Sequence, residues 1–158
     1  MTYSIQMLQM LREYSWDNES WFLPLAPALE GLTSKEAAWQ PPGGGNTIWQ
    51  NVNHINYYNE LMVGRIKGLV RKSSILNSDT FGQPGDPNDS AGWLATVEET
   101  YRIAGEIKAT LDSLTDGDLE KNDLGMKLTA WVTHDSYHTG QIVLLRKMQA
   151  SWPAVRDE

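Results

Sequence analysis

Hydrophobic residues recur every three or four positions in four long segments of the sequence, and this spacing constrains the fold more than any other feature. The buried face of an α-helix has that period because the helix has 3.6 residues per turn. The segments span about residues 2–29, 47–69, 90–114 and 126–149. We find no segment with the alternating pattern that is typical of a half-buried strand. The sequence therefore predicts an all-α fold.

In the first segment, the period assigns one set of large side chains to the buried side. These are Met7, Leu11, Tyr14, Trp21 and Leu25. Pro24 is expected to kink or end this helix, because proline lacks the backbone N–H and clashes with the preceding turn.

Capping residues and breaks separate the segments. "TSKE" at 33–36 matches a capping box that opens a short turn. "QPPGGGN" at 40–46 is a break, and the second helix is expected to begin near Asn46 or Thr47. The third helix is expected to begin after Asp89 or Ser90, since either residue is a good N-cap.

Four amphipathic helices of about 20 residues each favour a four-helix bundle in a single domain that spans residues 1–158. Each helix would be about 30 Å long. A polar connection of roughly 20 residues separates the second helix from the third, and an extended chain covers about 3.3 Å per residue. The connection can therefore run the length of the bundle and leave those two helices parallel.

Charge and composition exclude several classes of partner. The net charge of −7 opposes binding to nucleic acid or to an anionic membrane surface. No run approaches the roughly 18 apolar residues of a membrane-spanning helix, and the N-terminal residues lack the pattern of a signal peptide. We therefore expect a cytoplasmic protein. Because the chain has no cysteine, any thiol chemistry would use a thiol from solution.

Two of the three histidines, His134 and His138, lie four residues apart and therefore on one face of the fourth predicted helix. The third, His54, lies on the second helix beside Asn51 and Tyr58. Helix packing can bring all three imidazoles to one divalent metal, with at least one coordination position left open. Imidazole binds Zn, Ni and Fe, so the ligands do not select the metal.

Other interpretations of the same residues remain open. The histidines can simply pack in the core, because the position of His54 depends on the predicted fold. Asn51 and Gln141 are candidate acceptors for the second N–H of a ligating imidazole. Asp135 can orient a ligand, act as a base, or pair with a neighbouring helix. Arg146 can bind an anionic substrate or stabilise the C-terminus of its helix.

Two stretches of the sequence carry a family resemblance. "HDSYHTGQIVLLRK" resembles the last helix of the DinB/YfiT-like superfamily, and "NTIWQNVNHINYYNELM" resembles its second helix. The resemblance implies a four-helix bundle of up-down-down-up topology, one divalent metal held by His54, His134 and His138, and frequently a homodimer. Some relatives have a further histidine one turn before His134, where this chain has Ala130.

The resemblance also implies a reaction class. Characterised relatives include S-transferases and isomerases that use a low-molecular-weight thiol. The expected function is therefore metal-dependent transfer of a small-molecule thiol to an electrophile, and the sequence assigns no catalytic residue. A non-catalytic, stress-associated metal-binding protein and a metal-dependent hydrolase are the alternatives.

Overall fold

The computed structural model describes residues 4–69 and 75–152, which contain helices but no strand. This confirms the predicted all-α class. The α-helices are α1 (Ile5–Trp16), α2 (Leu25–Leu29), α3 (Ser34–Ala37), α4 (Ile48–Ile66), α5 (Ser90–Asp112), α6 (Asp116–Leu119) and α7 (Leu124–Met148), and two 3-10 helices span Asn77–Phe81 and Lys121–Asp123.

Four long helices pack side by side. α4 lies against both α5 and α7, and α1 lies against the same two helices, so that the contacts form a ring. The up-down-down-up order of their directions stays a prediction. Among the described residues, no helix combines the length and the apolar content that crossing a bilayer requires.

The helix starts confirm the capping predictions. Thr47 and Gln50 form a reciprocal capping box at the start of α4, and Thr33 and Glu36 form another at α3. Asp89 caps α5 by accepting a hydrogen bond from the backbone N–H of Gly92. Each cap satisfies backbone donors that have no partner within the helix.

The prediction of one long N-terminal helix is wrong. α1 ends at Trp16, and α2 begins only at Leu25, directly after Pro24. Residues 1–3, where the first predicted segment begins, and residues 70–74, which follow the second predicted segment, lie outside the described residues. The polar connection before α5 contains the 3-10 helix Asn77–Phe81, which the sequence did not indicate.

The buried face predicted for this segment is also wrong. Met7 and Leu11 are exposed, and Trp21 is 99 % exposed. α1 instead buries Leu8, Arg12 and Ser15, whereas Leu25 is buried in α2 as predicted. The face is shifted because Arg12 is a core residue, and an arginine in a periodic pattern is normally assigned to solvent.

The core consists of two apolar clusters with a polar layer between them. One cluster contains Leu25, Ile48, Val52, Ile55 and Ile142. The other contains Leu8, Ile103, Ile107, Leu128 and Val132. Along each long helix, buried polar residues lie at the boundary between the two clusters. These residues include Arg12 in α1, His54 and Asn59 in α4, Thr100 in α5, and Asp135 and His138 in α7.

Candidate metal centre

The polar layer brings together the three histidines that the sequence indicated. His54 and His138 are buried, and the side chain of His134 is 27 % exposed. One ring nitrogen from each histidine lies within 4.8 Å of the other two. The Nε2 atoms of His54 and His134 are 3.1 Å apart. The predicted proximity of His54 to the α7 pair is therefore confirmed.

A threonine of the 3-10 helix determines the tautomer of His54. The Thr80 hydroxyl donates a hydrogen bond to the backbone carbonyl of Asn77 over 2.6 Å. It therefore accepts from Nδ1–H of His54, over 2.5 Å. This leaves Nε2 of His54 unprotonated and directed at the other rings.

Two side-chain amides likewise determine the tautomer of His138. The Asn51 amide nitrogen donates to the backbone carbonyl of Thr47 over 2.9 Å, so its oxygen is turned toward His138. Nδ1 of His138 lies 3.1 Å from that oxygen and 2.8 Å from Oε1 of Gln141. Both predicted acceptors thus serve one histidine, and Nε2 of His138 is free.

Asp135 stands behind His134. Its Oδ1 lies 3.6 Å from Nδ1 of His134, and neither atom has a hydrogen-bond partner among the described residues. Its Oδ2 accepts from the guanidinium of Arg12 and, over 2.9 Å, from the amide of Asn59. Burial alone would raise the pKa of Asp135, but the Arg12 charge and these hydrogen bonds hold that pKa below its ordinary value.

The electrostatics of the centre favour neutral imidazoles. Burial, followed by the nearby His138 and His134 rings, lowers the pKa of His54 from 6.5 to about 4. Burial and His134 also lower the pKa of His138. Both rings are therefore neutral at pH 7, which is the form that binds a metal.

The donor set fits a divalent cation. Nδ1 of His134 is directed at the carboxylate of Asp135, and the tautomer that carries its proton on Nδ1 leaves Nε2 free to bind a metal, as in His54. The two Nε2 atoms are 3.1 Å apart, a separation at which they form a hydrogen bond when one of them carries a proton and can share a cation when neither does. Two nitrogens bound to one metal at 2.0–2.1 Å are roughly 3.3 Å apart in tetrahedral geometry, so little movement is needed.

Aromatic rings surround the imidazoles. Phe81 stacks on His54 with ring centroids 3.9 Å apart. Tyr58 contacts the rings of His54 and His134 edge-on, and Tyr137 contacts His138 with centroids 5.0 Å apart. Sequence reasoning missed Phe81 and Thr80, because a polar connection has no periodicity that would distinguish them.

Arg146, the remaining candidate from the sequence, has a structural role. Arg146 is buried, and its guanidinium donates to the backbone carbonyls of Ala28, Glu30 and Ser151. It thereby ties the end of α2 to α7, and the interpretation as an anion site is not supported. Tyr137 is 65 % exposed.

Comparison with known proteins identifies the family. A family model described as the DinB superfamily matches residues 25–142. The chain belongs to the DinB superfamily. The matched range contains all three histidines as well as Thr80 and Asp135, whereas α1, which supplies Arg12, lies before it. No curated protein and no solved structure was found to match the chain.

Proposed function

We propose that this DinB-superfamily protein binds one divalent metal ion, Zn, Ni or Fe, through Nε2 of His54, His134 and His138, within the up-down-down-up bundle that the resemblance implies. The observation that carries the proposal is the convergence of three imidazoles whose Nδ1 atoms all face acceptors. A hydrogen bond at Nδ1 orients the ring and increases the basicity of Nε2, as is usual for metal-ligating histidines.

We further propose that the activity is transfer of a low-molecular-weight thiol to a small electrophile. A divalent cation on neutral ligands lowers the pKa of a thiol that binds to it, and three protein ligands leave a position open for that thiol. The partly exposed side chain of His134 marks the side from which solution reaches the centre. Since the chain has no cysteine, the nucleophile comes from solution.

In this reaction the residues of the chain bind the metal and orient the reactants. In a substitution, a sulfur–carbon bond forms, the leaving group departs with its electron pair, and the thiol proton goes to solvent. In an addition, the sulfur–carbon bond forms and the adjacent carbon takes up a proton from solvent in place of the one that the thiol released. Asp135 is not the base, because it is fully buried behind His134 and its charge is balanced by Arg12. The rings of Tyr58 and Tyr137, beside His134 and His138, offer the flat surfaces against which an electrophile can lie.

Metal-loaded protein is therefore expected to accelerate conjugation of a small thiol to a chlorobimane dye, followed by fluorescence. Several cellular thiols are tested in parallel, and the metal-free protein is the blank. His138→Ala should abolish the acceleration while the helical circular-dichroism spectrum is retained. If loaded protein binds metal stoichiometrically but accelerates none of the thiols, the transferase proposal fails. Ester hydrolysis by the same sample would then favour the hydrolase alternative.

Loss of the outer hydrogen bonds should weaken metal binding without removing a ligand. Thr80→Val deletes the acceptor of His54, and Gln141→Leu deletes one of the two acceptors of His138. Changes of this kind typically cost about 10- to 100-fold in metal affinity. We expect Thr80→Val to have the larger effect, because His138 keeps Asn51. The measurement is competition with a chelating dye, and equal affinities for both variants and the unchanged protein would contradict this role.

A further inference from the structure

α1 and α5 contact each other at two levels and leave a gap between those contacts. At one level, the side chain of Gln9 donates a hydrogen bond to the Asp112 carboxylate over 3.1 Å. At the other, Trp16 packs edge-on against Tyr101, with ring centroids 4.9 Å apart. The gap is a cavity of about 490 Å³. Small-molecule sites typically have volumes of roughly 300–1,000 Å³, so the cavity is large enough for such a ligand.

Two small residues of α5, Ala104 and Gly105, line the cavity between the two contacts. Gly105 lies in the interior of α5, where glycine is destabilising relative to alanine. A Cβ built at Gly105 meets no atom within 4 Å, so packing among the described residues does not require a glycine at this position. A ligand in the cavity would lie against the bare backbone of α5, and that close approach would account for the missing side chain.

The most buried charged residue of the cavity is Arg12. Its side chain is only 7 % exposed and lines the cavity. Its one hydrogen bond to a described residue runs from Nη1 to Asp135, so Nε and Nη2 retain donors. The Cζ atom lies 5.9 Å from the ring centre of Trp16 and 5.6 Å from that of Trp131, and these contacts hold the guanidinium in place. A guanidinium held in this way can bind both oxygens of a carboxylate.

The rim of the cavity carries an excess of negative charge. Its lysine, Lys108, is already paired with Asp112 over 2.7 Å. Glu13 and Asp17 are exposed, line the cavity and belong to none of the ion pairs between described residues. Two uncompensated carboxylates beside the indole of Trp16 favour an ammonium group, which is attracted both to carboxylates and to the face of an indole.

We propose that this cavity binds a small zwitterion of the amino-acid class. The carboxylate of the ligand would lie at Arg12, and its ammonium group would lie between Glu13 and Asp17. An apolar side chain would pack along Trp16 and Tyr101. Arg12 alone would favour an anion and the rim alone would favour a cation, whereas a zwitterion is complementary to both charges of the cavity.

The buried ion pair separates this site from the candidate metal centre. Nη1 of Arg12 is bound to Oδ2 of Asp135, and Oδ1 of Asp135 lies 3.6 Å from Nδ1 of His134. None of the three histidines lines the cavity. Binding of a zwitterion therefore does not depend on the proposed metal or on the proposed reaction, and the failure of either proposal would leave the other standing.

Three related probes test the two charged groups of the ligand separately. Phenylalanine carries both groups, phenethylamine lacks the carboxylate, and phenylpropionate lacks the ammonium group. We expect phenylalanine to bind in the millimolar range and each of the other two at least about ten-fold more weakly, because each loses charge-assisted hydrogen bonds. The measurement is an NMR titration of the isotope-labelled full chain, with chemical-shift changes at the backbone amides of Ala104 and Gly105. The ligand is varied because replacing Arg12 would also break the buried ion pair.

Substitutions at Gly105 test the location of the site. Gly105→Leu puts a side chain into the cavity and should abolish the changes that phenylalanine causes at the amide of Ala104. Gly105→Ala is the matched control, because its Cβ has room and should leave binding unchanged. Circular dichroism checks that both variants keep the helical content of the unchanged protein. Absence of shifts with phenylalanine, or shifts that persist in Gly105→Leu, would overturn the proposal.

Substitutions at the rim test the site for the ammonium group. The double variant of Glu13→Gln and Asp17→Asn should weaken the binding of phenylalanine by about ten-fold, because the ammonium group loses both of its anionic partners. The same variant should bind phenylpropionate no more weakly than the unchanged protein does. Equal affinities of the unchanged protein for phenylalanine and phenethylamine would show that Arg12 does not bind the ligand, and would overturn the zwitterion class.

Discussion

Alanine in place of His54, His134 or His138 is expected to lower the affinity for Zn²⁺ by roughly 100-fold or more, a larger loss than the removal of an outer hydrogen bond causes. Two imidazoles make a poor site for a metal that prefers four ligands. All three rings are close enough to contribute a ligand to the same metal, because their ligand atoms lie within 4.8 Å of one another. No single replacement should therefore be tolerated much better than the other two.

The affinity is measured with protein that carries no histidine tag, by metal analysis after dialysis and by competition with a chelating dye. Thr133→Ala is the matched control, since Thr133 lies next to His134 but points to solvent and donates only to the carbonyl of Ala130. Circular dichroism checks that each variant remains helical. Stoichiometric binding of unchanged affinity in any one histidine variant would exclude the three-histidine site.

The second large effect concerns the buried ion pair. Arg12→Met should reduce the free energy of unfolding by about 3–5 kcal/mol, because it leaves the charge of Asp135 buried without its partner. Asp135→Asn should reduce the free energy of unfolding by a similar amount, because it leaves the guanidinium unpaired. The double variant should recover much of the loss, since replacement of both members of a buried pair by uncharged groups is often close to neutral.

Urea unfolding of the two single variants and the double variant gives the coupling energy between the residues. Arg102→Ala is the contrasting control, because Arg102 contacts Glu60, Glu99 and Glu106 but is half exposed. Surface pairs of this kind contribute about 0–1 kcal/mol. Additive single effects at Arg12 and Asp135, or a larger effect at Arg102, would contradict the role assigned to the buried pair.

Local signals in the sequence predicted much of the fold. The starts of α4 and α5 follow from Thr47 and Asp89, which accept hydrogen bonds from their own first turns. The i, i+4 spacing of His134 and His138 determines that they share a face. These features involve residues close in sequence, so their consequences can be inferred before the tertiary structure is known.

The parts that sequence analysis missed depend on contacts between distant residues. Arg12 and Asp135 are separated by 123 positions, and nothing near Arg12 in the sequence indicates a carboxylate behind it. The buried face of α1 was predicted wrongly for this reason, because that face includes the charged Arg12. Thr80 and Phe81 were missed for a related reason. Their role becomes apparent only when the 3-10 helix Asn77–Phe81 is seen to pack against α4.

The polar layer between the two apolar clusters also makes the helices intolerant of sliding. Arg12 of α1, Asn59 of α4 and Asp135 of α7 form one connected set of hydrogen bonds. Apolar side chains alone can exchange neighbours when a helix moves along its axis. A slip of one turn, about 5.4 Å, would instead leave Asp135 or Arg12 as an isolated ion in the interior. The layer therefore fixes the axial register of the helices, because it selects one alignment among several that would bury similar apolar area.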